Sequence, residues 1–478
     1  MASKRKAAPN SSTNRRKSKK KESDFEDSLS DAGSDHDNGK DVEVLIPNDE
    51  AEPEKLPAEL LKTFEKQSGQ MLIAGMVTWD AVGKKDTRKV AKMRPNLFSF
   101  HRYTTETYRF AISHSSSAHS VLINKDGQAM TFGRNTSGQL GVGHTNCVEA
   151  PTVVPVLSNL NCISAAVGRH HSLFLTDTGT VYACGENKSG QCGVGNSHSP
   201  VLTPTKINYR GPPVIRVGCG SEFSVILDIT GNLHSFGLPE YGQLGHNTDG
   251  KYFVNANKLT FHFETSPKKI PLFIDKSKDG HITPVENVHI VDFACGNNHT
   301  VAIDSKKRAF SWGFGGFGRL GHSEQRDEMV PRLIKAFDNT GRGVKSIFCG
   351  ATYSLSISDV GALYLFGQNK KTGEANMYPK PVNDLAGWHI TDIGCSNTSV
   401  MISADDSLIA WGASPTFGEL GLGTFQKSST VPKEVPKFRD MKLPQCTTGF
   451  SHTILLVNTE HEQTKTAYDA FPEFTLED

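Results

Sequence analysis

The chain has 478 residues, which is enough for about three ordinary domains or for one large repeat architecture. Hydrophobic residues make up 36% of it and 44 more residues are glycine, so a wholly disordered protein is excluded. The 52 basic and 51 acidic residues nearly cancel, and the net charge therefore gives no reason to expect a nucleic-acid-binding or membrane-binding protein.

Three further features concern the compartment. No apolar run approaches the ~18 residues of a membrane-spanning helix, and no apolar stretch follows the basic N-terminus as in a secretory signal. The 9 cysteines are an odd number without C-x-x-C spacing, which is typical of a reducing compartment. We therefore predict an intracellular, soluble protein with no membrane span.

The N-terminal segment 1–54 has a composition of its own. Residues 1–21 carry nine basic side chains and no acidic one, and residues 22–54 carry thirteen acidic side chains against Lys40 alone. Because few apolar residues interrupt either block, the segment cannot bury enough surface to offset its chain entropy, and we predict a disordered tail. The nine basic residues are Lys4, Arg5, Lys6, Arg15, Arg16, Lys17, Lys19, Lys20 and Lys21.

These basic residues form two clusters with a short spacer, an arrangement typical of a bipartite nuclear import signal. An import receptor and nucleic acid are the partners that this arrangement predicts, and the alternative is a tail that only solubilises the protein. Three serines of the acidic half have an acidic residue three positions downstream, a pattern that acidophilic kinases favour. These phosphorylation candidates are Ser23, Ser28 and Ser34.

Residues after the tail are dominated by a repeat. One block reads aromatic-Gly, seven residues, then Gly, and we call its first glycine the anchor glycine. The clear copies run from Phe132-Gly133 to Gly141, Cys184-Gly185 to Gly193, Phe236-Gly237 to Gly245, Trp312-Gly313 to Gly321 and Trp411-Gly412 to Gly421. Cys184 takes the aromatic position in the second copy, and the spacing in the last copy is one residue longer. Weaker copies lie at Gly75 and at Phe366-Gly367. Recurrence of one sequence block along the chain predicts a repeat architecture.

A second block places His-Ser, or a related pair, before an alternating apolar run. From this block to the following anchor glycine the step is 14 residues in six copies, for example from 119 to 133 and from 171 to 185. A residue suited to a turn with positive φ lies six positions before the anchor glycine: Gly127, Gly179, Gly231, Gly361, Lys307 or Asp406. Strand, turn and strand fit this spacing, so each unit of roughly 50 residues is a small antiparallel sheet.

The number of blocks predicts how the repeats close. Gly75 has no His-Ser block before it, and His452-Thr453 has no anchor after it. Seven anchors and seven His-Ser blocks match only if the N-terminal strand completes the last unit, which also removes an open sheet edge. The predicted fold is therefore all-β: a seven-bladed β-propeller over 69–458, closed by strand exchange between its N- and C-terminal ends.

Two short segments flank the propeller. Leu56, Leu60, Leu61 and Phe64 predict a linker or a short amphipathic helix over 55–68. Residues 459–478 follow the last repeat, and we interpret them as a C-terminal tail.

The repeat resembles the regulator of chromosome condensation family. The resemblance lies in Gly-x-x-x-x-Gly-Gln-Leu-Gly, as in 133–141 and 237–245, and in Cys-Gly-x-x-His-Thr at 295–300. It implies a binding regulator of a small GTPase, because exchange factors of this family distort the nucleotide site with a loop or wedge. The founding member has an Arg-Asp-Asn-Asn-Gly anchor whose Asp is important for exchange on Ran. The anchors at 134–138, 186–190 and 238–242 lack this Asp, so we do not expect exchange on Ran.

Stretches 240–251, 310–322 and 411–421 resemble one member of the family more closely. That closer resemblance implies GTPases of the Rac and Ral type, chromatin or centromere proteins and microtubules as partners. It also implies a monomeric phosphoprotein of the nucleus, nucleolus, chromosome, centromere, spindle and midbody, with some in the cytoplasm, that acts in mitosis and cell division.

Other motifs are better explained by structure than by chemistry. Gly313 to Gly318 matches the G-x-G-x-x-G fingerprint, but strand-like sequence surrounds it where a helix is required. The repeated histidines would be spread around an axis, so we expect buried imidazoles bonded to backbone within each blade and no metal site. Cysteines 219, 295 and 349 share one register and are interpreted as small core residues. No catalytic constellation can be assembled, so we predict neither an enzyme nor a cofactor.

One insertion breaks the regular spacing. The gap from the end of an anchor block to the next repeat Gly is 27 residues twice, then 51 (245 to 296), which places about 24 extra residues in 246–292. We interpret them as a strand at 258–263, a link at 267–271, a second strand at 272–274 and a polar turn at 275–281, which is the tip of a protruding hairpin. Its tip is a GTPase-binding candidate, and a tolerated surface excursion is the alternative. The tip residues are Lys276, Ser277, Lys278, Asp279, Gly280, His281, Ile282 and Thr283.

Two functions are consistent with these features. The first is a regulator of Rac- or Ral-type GTPases, acting by exchange or by sequestration and tethered to chromatin or spindle by its tail. The second is a chromosomal or cytoskeletal scaffold with no exchange activity.

Overall fold

The computed structural model describes residues 54–82, 93–338, 342–370, 374–412, 416–424 and 428–475. Strands dominate these ranges, and α1 (Ala58–Lys62) and α2 (Glu462–Asp469) are the α-helices within them. Short 3-10 helices lie at Trp79–Ala81, Pro155–Leu157, Gly316–Gly318, Lys335–Phe337, Asn383–Leu385 and Pro436–Phe438.

The strands of the first half are β1 (Gly69–Gly75), β2 (Leu97–Ile112), β3 (His119–Asn124), β4 (Ala129–Gly133), β5 (Val148–Val153), β6 (Cys162–Val167), β7 (His171–Thr176), β8 (Val181–Gly185), β9 (Val201–Lys206), β10 (Val214–Cys219), β11 (Phe223–Asp228), β12 (Leu233–Gly237), β13 (Lys251–Asn255), β14 (Lys258–Phe261) and β15 (Glu264–Lys269). Those of the second half are β16 (Ile274–Lys276), β17 (Ile282–Pro284), β18 (Ile290–Cys295), β19 (His299–Asp304), β20 (Ala309–Gly313), β21 (Glu328–Leu333), β22 (Val344–Cys349), β23 (Tyr353–Ser358), β24 (Leu363–Gly367), β25 (Asn376–Pro381), β26 (Ile390–Cys395), β27 (Ser399–Ala404), β28 (Ser407–Gly412), β29 (Ser429–Glu434), β30 (Gln445–Thr448) and β31 (His452–Val457).

One four-stranded antiparallel sheet recurs along the described chain. It is present as β6-β7-β8-β9, β10-β11-β12-β15, β22-β23-β24-β25 and β26-β27-β28-β29, and as β18-β19-β20-β21 with β16 and β17 added at its outer edge. First strands of successive sheets contact one another, for example β6 with β10 and β18 with β22. Such sheets are the blades of a β-propeller, with the first strands innermost, and the predicted all-β propeller fold is confirmed.

A seven-stranded sheet joins the two ends of the described fold. Its order is β30-β31-β1-β2-β3-β4-β5, so β1 lies between the last strand of the chain and β2. β1 is antiparallel to both neighbours, with Gly75 opposite His452 on one side and Gly69 opposite Tyr108 on the other. Both edges of β1 are therefore hydrogen-bonded.

The 14-residue step of the repeat is a cross-strand pair. His119 lies opposite Gly133 and His171 lies opposite Gly185. Gly185 has a φ of +112°, and a Cβ there would come within 2.3 Å of the carbonyl oxygen of His170, so no other residue fits. The turn residues predicted to need positive φ all have it, including Lys307 (φ 65°) and Asp406 (φ 53°).

The aromatic residue before the anchor glycine fills the space between blades. Phe236 is fully buried, and its ring contacts Gly193 of the preceding sheet so closely that a Cβ on Gly193 would be 2.6 Å away. Trp312 is also fully buried, and its Nε1 donates a hydrogen bond to Gln243 O of the preceding sheet at 3.0 Å. Both glycines and the aromatic residue of the block therefore serve packing between sheets.

The His-Ser pairs connect neighbouring sheets. His171 Nε2 lies 3.0 Å from Ser224 Oγ, 53 residues later, and Ser224 Oγ donates its proton to Gln191 O at 2.8 Å. Because that proton is used, the imidazole must donate from Nε2. Equivalent contacts join His119 to Ser172, His299 to Ser354 and His452 to Ser120, each at 2.9 Å. The expectation of imidazoles bonded to backbone within a blade was wrong, because the partner is a serine hydroxyl, which lies in the next sheet in three cases and in the same seven-stranded sheet for His452.

The repeated cysteines are core residues, as predicted. Cys219, Cys295 and Cys349 end the first strands of three sheets and are buried. Burial raises the pKa of the Cys349 thiol to about 12, which disfavours the reactive thiolate.

Both flanking segments are folded onto the propeller. Leu56 is buried and donates its backbone N–H to Asp177 O at 2.8 Å, ahead of α1. After the last strand, α2 buries Tyr468, whose hydroxyl donates to Met71 O at 3.2 Å, and Phe471 is 5% exposed. The segment interpreted as a C-terminal tail thus contains a helix that covers β1.

Candidate functional site

Several predicted site residues lie outside the described residues. These are the nine basic residues of 1–21 and the serines Ser23, Ser28 and Ser34. The nuclear import signal and the phosphorylation candidates therefore stay predictions.

The fingerprint at 313–318 lacks the helix that a phosphate site needs. Gly313 ends β20, and the segment continues as a single 3-10 turn, Gly316–Gly318, in which Phe317 has a φ of +63°. In the described ranges, no group of three His, Cys, Asp or Glu side chains is placed to hold a metal ion. No helix within those ranges is long and apolar enough to cross a membrane.

The insertion forms two hairpins, one at each end of β15. The first, β13–β14, lies between the third and fourth strands of its sheet, and the second, β16–β17, follows the fourth strand. The predicted hairpin turn lies between β16 and β17, whereas the predicted link at 267–271 was wrong, because 264–269 continues the blade as β15 and pairs with β12. Consecutive strands run in opposite directions, so the two hairpins leave opposite ends of the blade.

The β13–β14 hairpin exposes large apolar side chains. Phe253 is 70% exposed, and Tyr252, Val254 and Leu259 are 48%, 57% and 45% exposed. A tight turn between the strands is held by Asn257 N–H donating to Asn255 Oδ1 at 3.1 Å. Phe253 lies opposite Leu259, so these two share one face of the hairpin, and exposed apolar surface of this kind marks sites of protein–protein interaction.

Sequence reasoning missed the strand Lys251–Asn255. Its signal was present in the run Tyr252-Phe253-Val254, followed by the turn-forming Asn255-Ala256-Asn257. The charge pattern of the insertion indicates the tip at 276–283 instead.

An aromatic patch lies beside the base of this hairpin. Gly250 packs against the ring of Pro239, and Tyr241, two residues further, has its ring 4.8 Å from that of Phe314 in the next sheet. The guanidinium of Arg319 lies over the Phe314 ring at 4.6 Å, and Phe317, 5.7 Å from Arg319, is 43% exposed. We call Tyr241, Phe314, Phe317 and Arg319 the aromatic patch.

The predicted tip is the turn of β16–β17, at the outer edge of the following sheet. Ile274 of β16 pairs in parallel with Arg332 of β21. Ser277 N–H donates to His281 O at 2.9 Å, which closes the turn. All eight predicted residues lie together here; Lys276 and Ser277 are half-buried, and the exposed ones are Lys278, Asp279, Gly280, His281, Ile282 and Thr283.

Lys276 does not project its ammonium group from the tip. Its Nζ pairs with Glu328 Oε1 at 3.2 Å, and its side chain is only 20% exposed. Glu328 also accepts from Arg332 at 2.6 Å. His322 lies among these cations, and burial, followed by repulsion from Arg332, lowers its pKa to about 3. The base of the tip is therefore a structural ion-pair network.

Comparison with known proteins identifies the family. The RCC1-like domain model matches residues 117–455. Protein RCC2 of Mus musculus is 46% identical over 432 residues, covering 89% of this chain and 83% of its own length. Protein RCC2 of Homo sapiens is 46% identical over 431 residues, covering 88% and 83%.

A solved structure shares the fold. Prp20p from Saccharomyces cerevisiae, described with its binding properties to Gsp1p and histones, superposes with a TM-score of 0.62 at 17% identity over 87% of this chain and 98% of its own. A propeller of recurrent four-stranded sheets, a family match over most of the chain and relatives at 46% identity lead to one conclusion. The chain belongs to the RCC1-like domain family.

Proposed function

We propose that this protein binds and regulates a small GTPase of the Rac or Ral type. Family membership supports the class of function, since the resemblance implies regulators that act on a GTPase without making or breaking a covalent bond. The exposed β13–β14 hairpin beside the aromatic patch carries the proposal. A projecting apolar hairpin with a neighbouring aromatic surface has the form of a wedge that a partner encloses.

The wedge assignment has a physical basis. Phe253 and Tyr252 lie on a two-stranded sheet that leaves the blade, and both side chains are exposed. Burying a Phe or Tyr side chain in a partner removes about 150–250 Å² of surface each. Such burial supplies the binding free energy with which an exchange factor stabilises a GTPase whose nucleotide has left.

The tip at 276–283 remains the second proposed contact. Lys278 is exposed and near Lys335, which pairs with Asp275 at 3.1 Å, and an exposed cation affects association rate more than affinity. Because the two hairpins leave opposite ends of β15, one partner is not expected to cover both. Hairpin replacement therefore distinguishes them.

We further propose that the sheets make seven blades in a closed ring. The pairing of β1 with β31 and the contacts of β30 with β2 and β26 support this. Counting the seven-stranded sheet as the first and last blades gives seven in total.

The remaining proposals concern the cell. We propose an import receptor, chromatin or centromere proteins and microtubules as partners, with the basic tail as tether, and a monomer in solution. We propose the nucleus, nucleolus, chromosome, spindle and midbody as its locations, with some in the cytoplasm and a role in mitotic progression and cytoskeletal organisation. The alternative function is a scaffold that holds a GTPase or mitotic proteins and releases no nucleotide.

A binding and nucleotide-release assay on a panel of GTPases tests these functions. Tyr252→Ser with Phe253→Ser is expected to weaken GTPase binding at least tenfold, or about 1.4 kcal/mol. Val360, 76% exposed at the β23–β24 turn, offers the matched control Val360→Ser, which should bind normally. Binding without accelerated release identifies the scaffold, and failure to bind any small GTPase overturns the proposal.

Replacing 276–283 with a Gly-Ser linker is the companion experiment. We expect at least tenfold weaker binding if this tip is the wedge, and Lys278→Glu should then slow association at low salt. Unchanged affinity in the linker variant, together with loss in the Tyr252→Ser and Phe253→Ser variant, assigns the wedge to β13–β14.

A further inference from the structure

A cavity of about 320 Å³ lies where the innermost strands of several blades end. Its walls are mainly connections between first and second strands, so they converge at the same end of the propeller axis. The polar side chains that line it are Ser116, Arg134, Arg169, His170, Asn297 and Asn397.

The loop after β2 closes the bottom of this space. His114 Nε2 lies 3.2 Å from Cys295 O, and Ser115 Oγ donates to Asn297 Oδ1 at 2.9 Å. The sheets β6-β7-β8-β9 and β10-β11-β12-β15 lie in the chain between this loop and its partners Cys295 and Asn297. The loop therefore crosses the interior of the propeller. Ser116 of the same loop lines the cavity.

The lining is rich in donors and unbalanced in charge. Arg134 donates from Nη1 to Val82 O at 3.0 Å but forms no ion pair with a carboxylate among the described residues, and its Nε is buried without a hydrogen bond there. Arg169 pairs with Glu222 at 2.9 Å but keeps 46% of its side chain exposed. Among the described residues that line the cavity there is no Asp or Glu.

The neutral groups add donors to the two guanidinium groups. Asn297 accepts from Ser115 through Oδ1, which leaves its Nδ2 hydrogens for the cavity. Asn397 and Asn297 come from equivalent connections of two different sheets. His170 has a buried Nδ1 without a partner in the described ranges, and burial lowers the pKa of this imidazole to about 4, so it is neutral at pH 7.

We propose that this axial cavity is a binding site for a phosphate monoester. Arg134, together with the exposed part of Arg169, supplies positive charge for a dianion, and the guanidinium and amide N–H groups supply donors for its three terminal oxygens. A carboxylate, with one charge and two oxygens, satisfies fewer of these donors. The ester is carried either by a phosphorylated side chain of a protein or by a small phosphorylated metabolite.

Thermal unfolding of the full chain tests the site, because a ligand that binds only the folded state raises the melting temperature in proportion to ln(1 + [L]/Kd). The probes are inorganic phosphate, glycerol 3-phosphate and a phosphoserine peptide, each compared with NaCl of equal ionic strength. We expect stabilisation beyond NaCl. Tighter binding of the phosphoserine peptide assigns the protein source, and tighter binding of glycerol 3-phosphate assigns the metabolite source.

Variants connect that stabilisation to the cavity. Arg134→Gln with Arg169→Gln should weaken phosphate binding at least tenfold, and Asn397→Asp, which puts a carboxylate in the cavity, should do the same without removing an ion pair. Arg439→Gln is the matched control, since Arg439 pairs with Glu434 at 2.8 Å away from the cavity. Stabilisation no greater than that by NaCl, equal weakening in Arg439→Gln, or equal binding of the unphosphorylated peptide overturns the proposal.

Discussion

The Nε2 atom of His452 lies 2.9 Å from the hydroxyl oxygen of Ser120, although the two residues stand 332 positions apart. Ser120 belongs to β3 and His452 to β31, and β1 and β2 lie between these strands in one sheet. His171 makes the same kind of contact with Ser224 of the next sheet. The bond from His452 to Ser120 differs in that it joins distant ends of the chain. Both ends of the described fold therefore depend on each other.

Deleting residues 69–83 should leave the protein aggregated or readily proteolysed. The deletion removes β1, and the edges of β31 and β2 then expose unpaired backbone groups. Size-exclusion chromatography and limited proteolysis measure the outcome. Deleting 1–54 is the control and should leave a monomer with the same unfolding transition. A monomeric, cooperatively unfolding chain that starts at residue 90 would show that closure by β1 is unnecessary.

Ser224→Ala should lower the free energy of unfolding by about 1–3 kcal/mol, because His171 Nε2 and Gln191 O both lose a buried partner. Ser158→Ala is the matched control, since the Ser158 hydroxyl is exposed and bonds only to Pro155 O nearby. Urea unfolding of both variants gives the difference. Equal stabilities would mean that the hydroxyl makes no net contribution between the sheets.

Stability should fall as the pH is lowered below about 6.5, the ordinary pKa of histidine in an unfolded chain. Burial lowers the pKa of His171 to about 3 and that of His452 to about 4 in the folded state. Below this pH the unfolded imidazoles bind protons and the folded ones stay neutral. Each such histidine therefore lowers the free energy of unfolding by up to about 1.4 kcal/mol per pH unit between its unfolded and folded pKa values. His114, His119, His170, His299 and His322 shift in the same direction.

Two carboxyl groups act in the opposite sense. Burial raises the pKa of Asp292 and Asp392, so their protonation favours the folded state as the pH falls. The histidines outnumber them, and the net effect is destabilisation. Urea unfolding at constant ionic strength from pH 7.5 to 5 measures the slope of the free energy of unfolding against pH. His171→Gln should reduce this slope by the equivalent of one bound proton. A flat profile would contradict the neutral, buried state of these imidazoles.

Neutralising the nine basic residues of 1–21 should move the protein out of interphase nuclei and weaken its binding to nucleic acid. Fewer cations release fewer counterions, so the dependence of log K on log salt should become shallower. Fluorescence microscopy and binding titrations at several salt concentrations measure both effects. Neutralising Lys40 alone is the control, and unchanged nuclear accumulation of the full variant would place import on the propeller or on a partner.

The amino-acid sequence by itself determined the blade. The 14-residue spacing places His119 opposite Gly133, and the turn residue between them needs positive φ, because pairing within a hairpin depends only on the residues that form it. The same local logic predicted the exposed turn near Lys278 within the insertion. It did not predict that 264–269 continues the blade, since Pro-Lys-Lys resembles a link.

Only the tertiary structure determined the contacts between blades. Three examples join elements that are distant in the chain. His171 bonds to Ser224, Lys276 pairs with Glu328, and Arg134 lines one cavity with Asn397. Spacing along the chain does not encode them, because they depend on how whole sheets are placed around the axis. The exposure of Phe253 also depends on tertiary structure, since the elements that pack against a side chain decide how much of it is exposed.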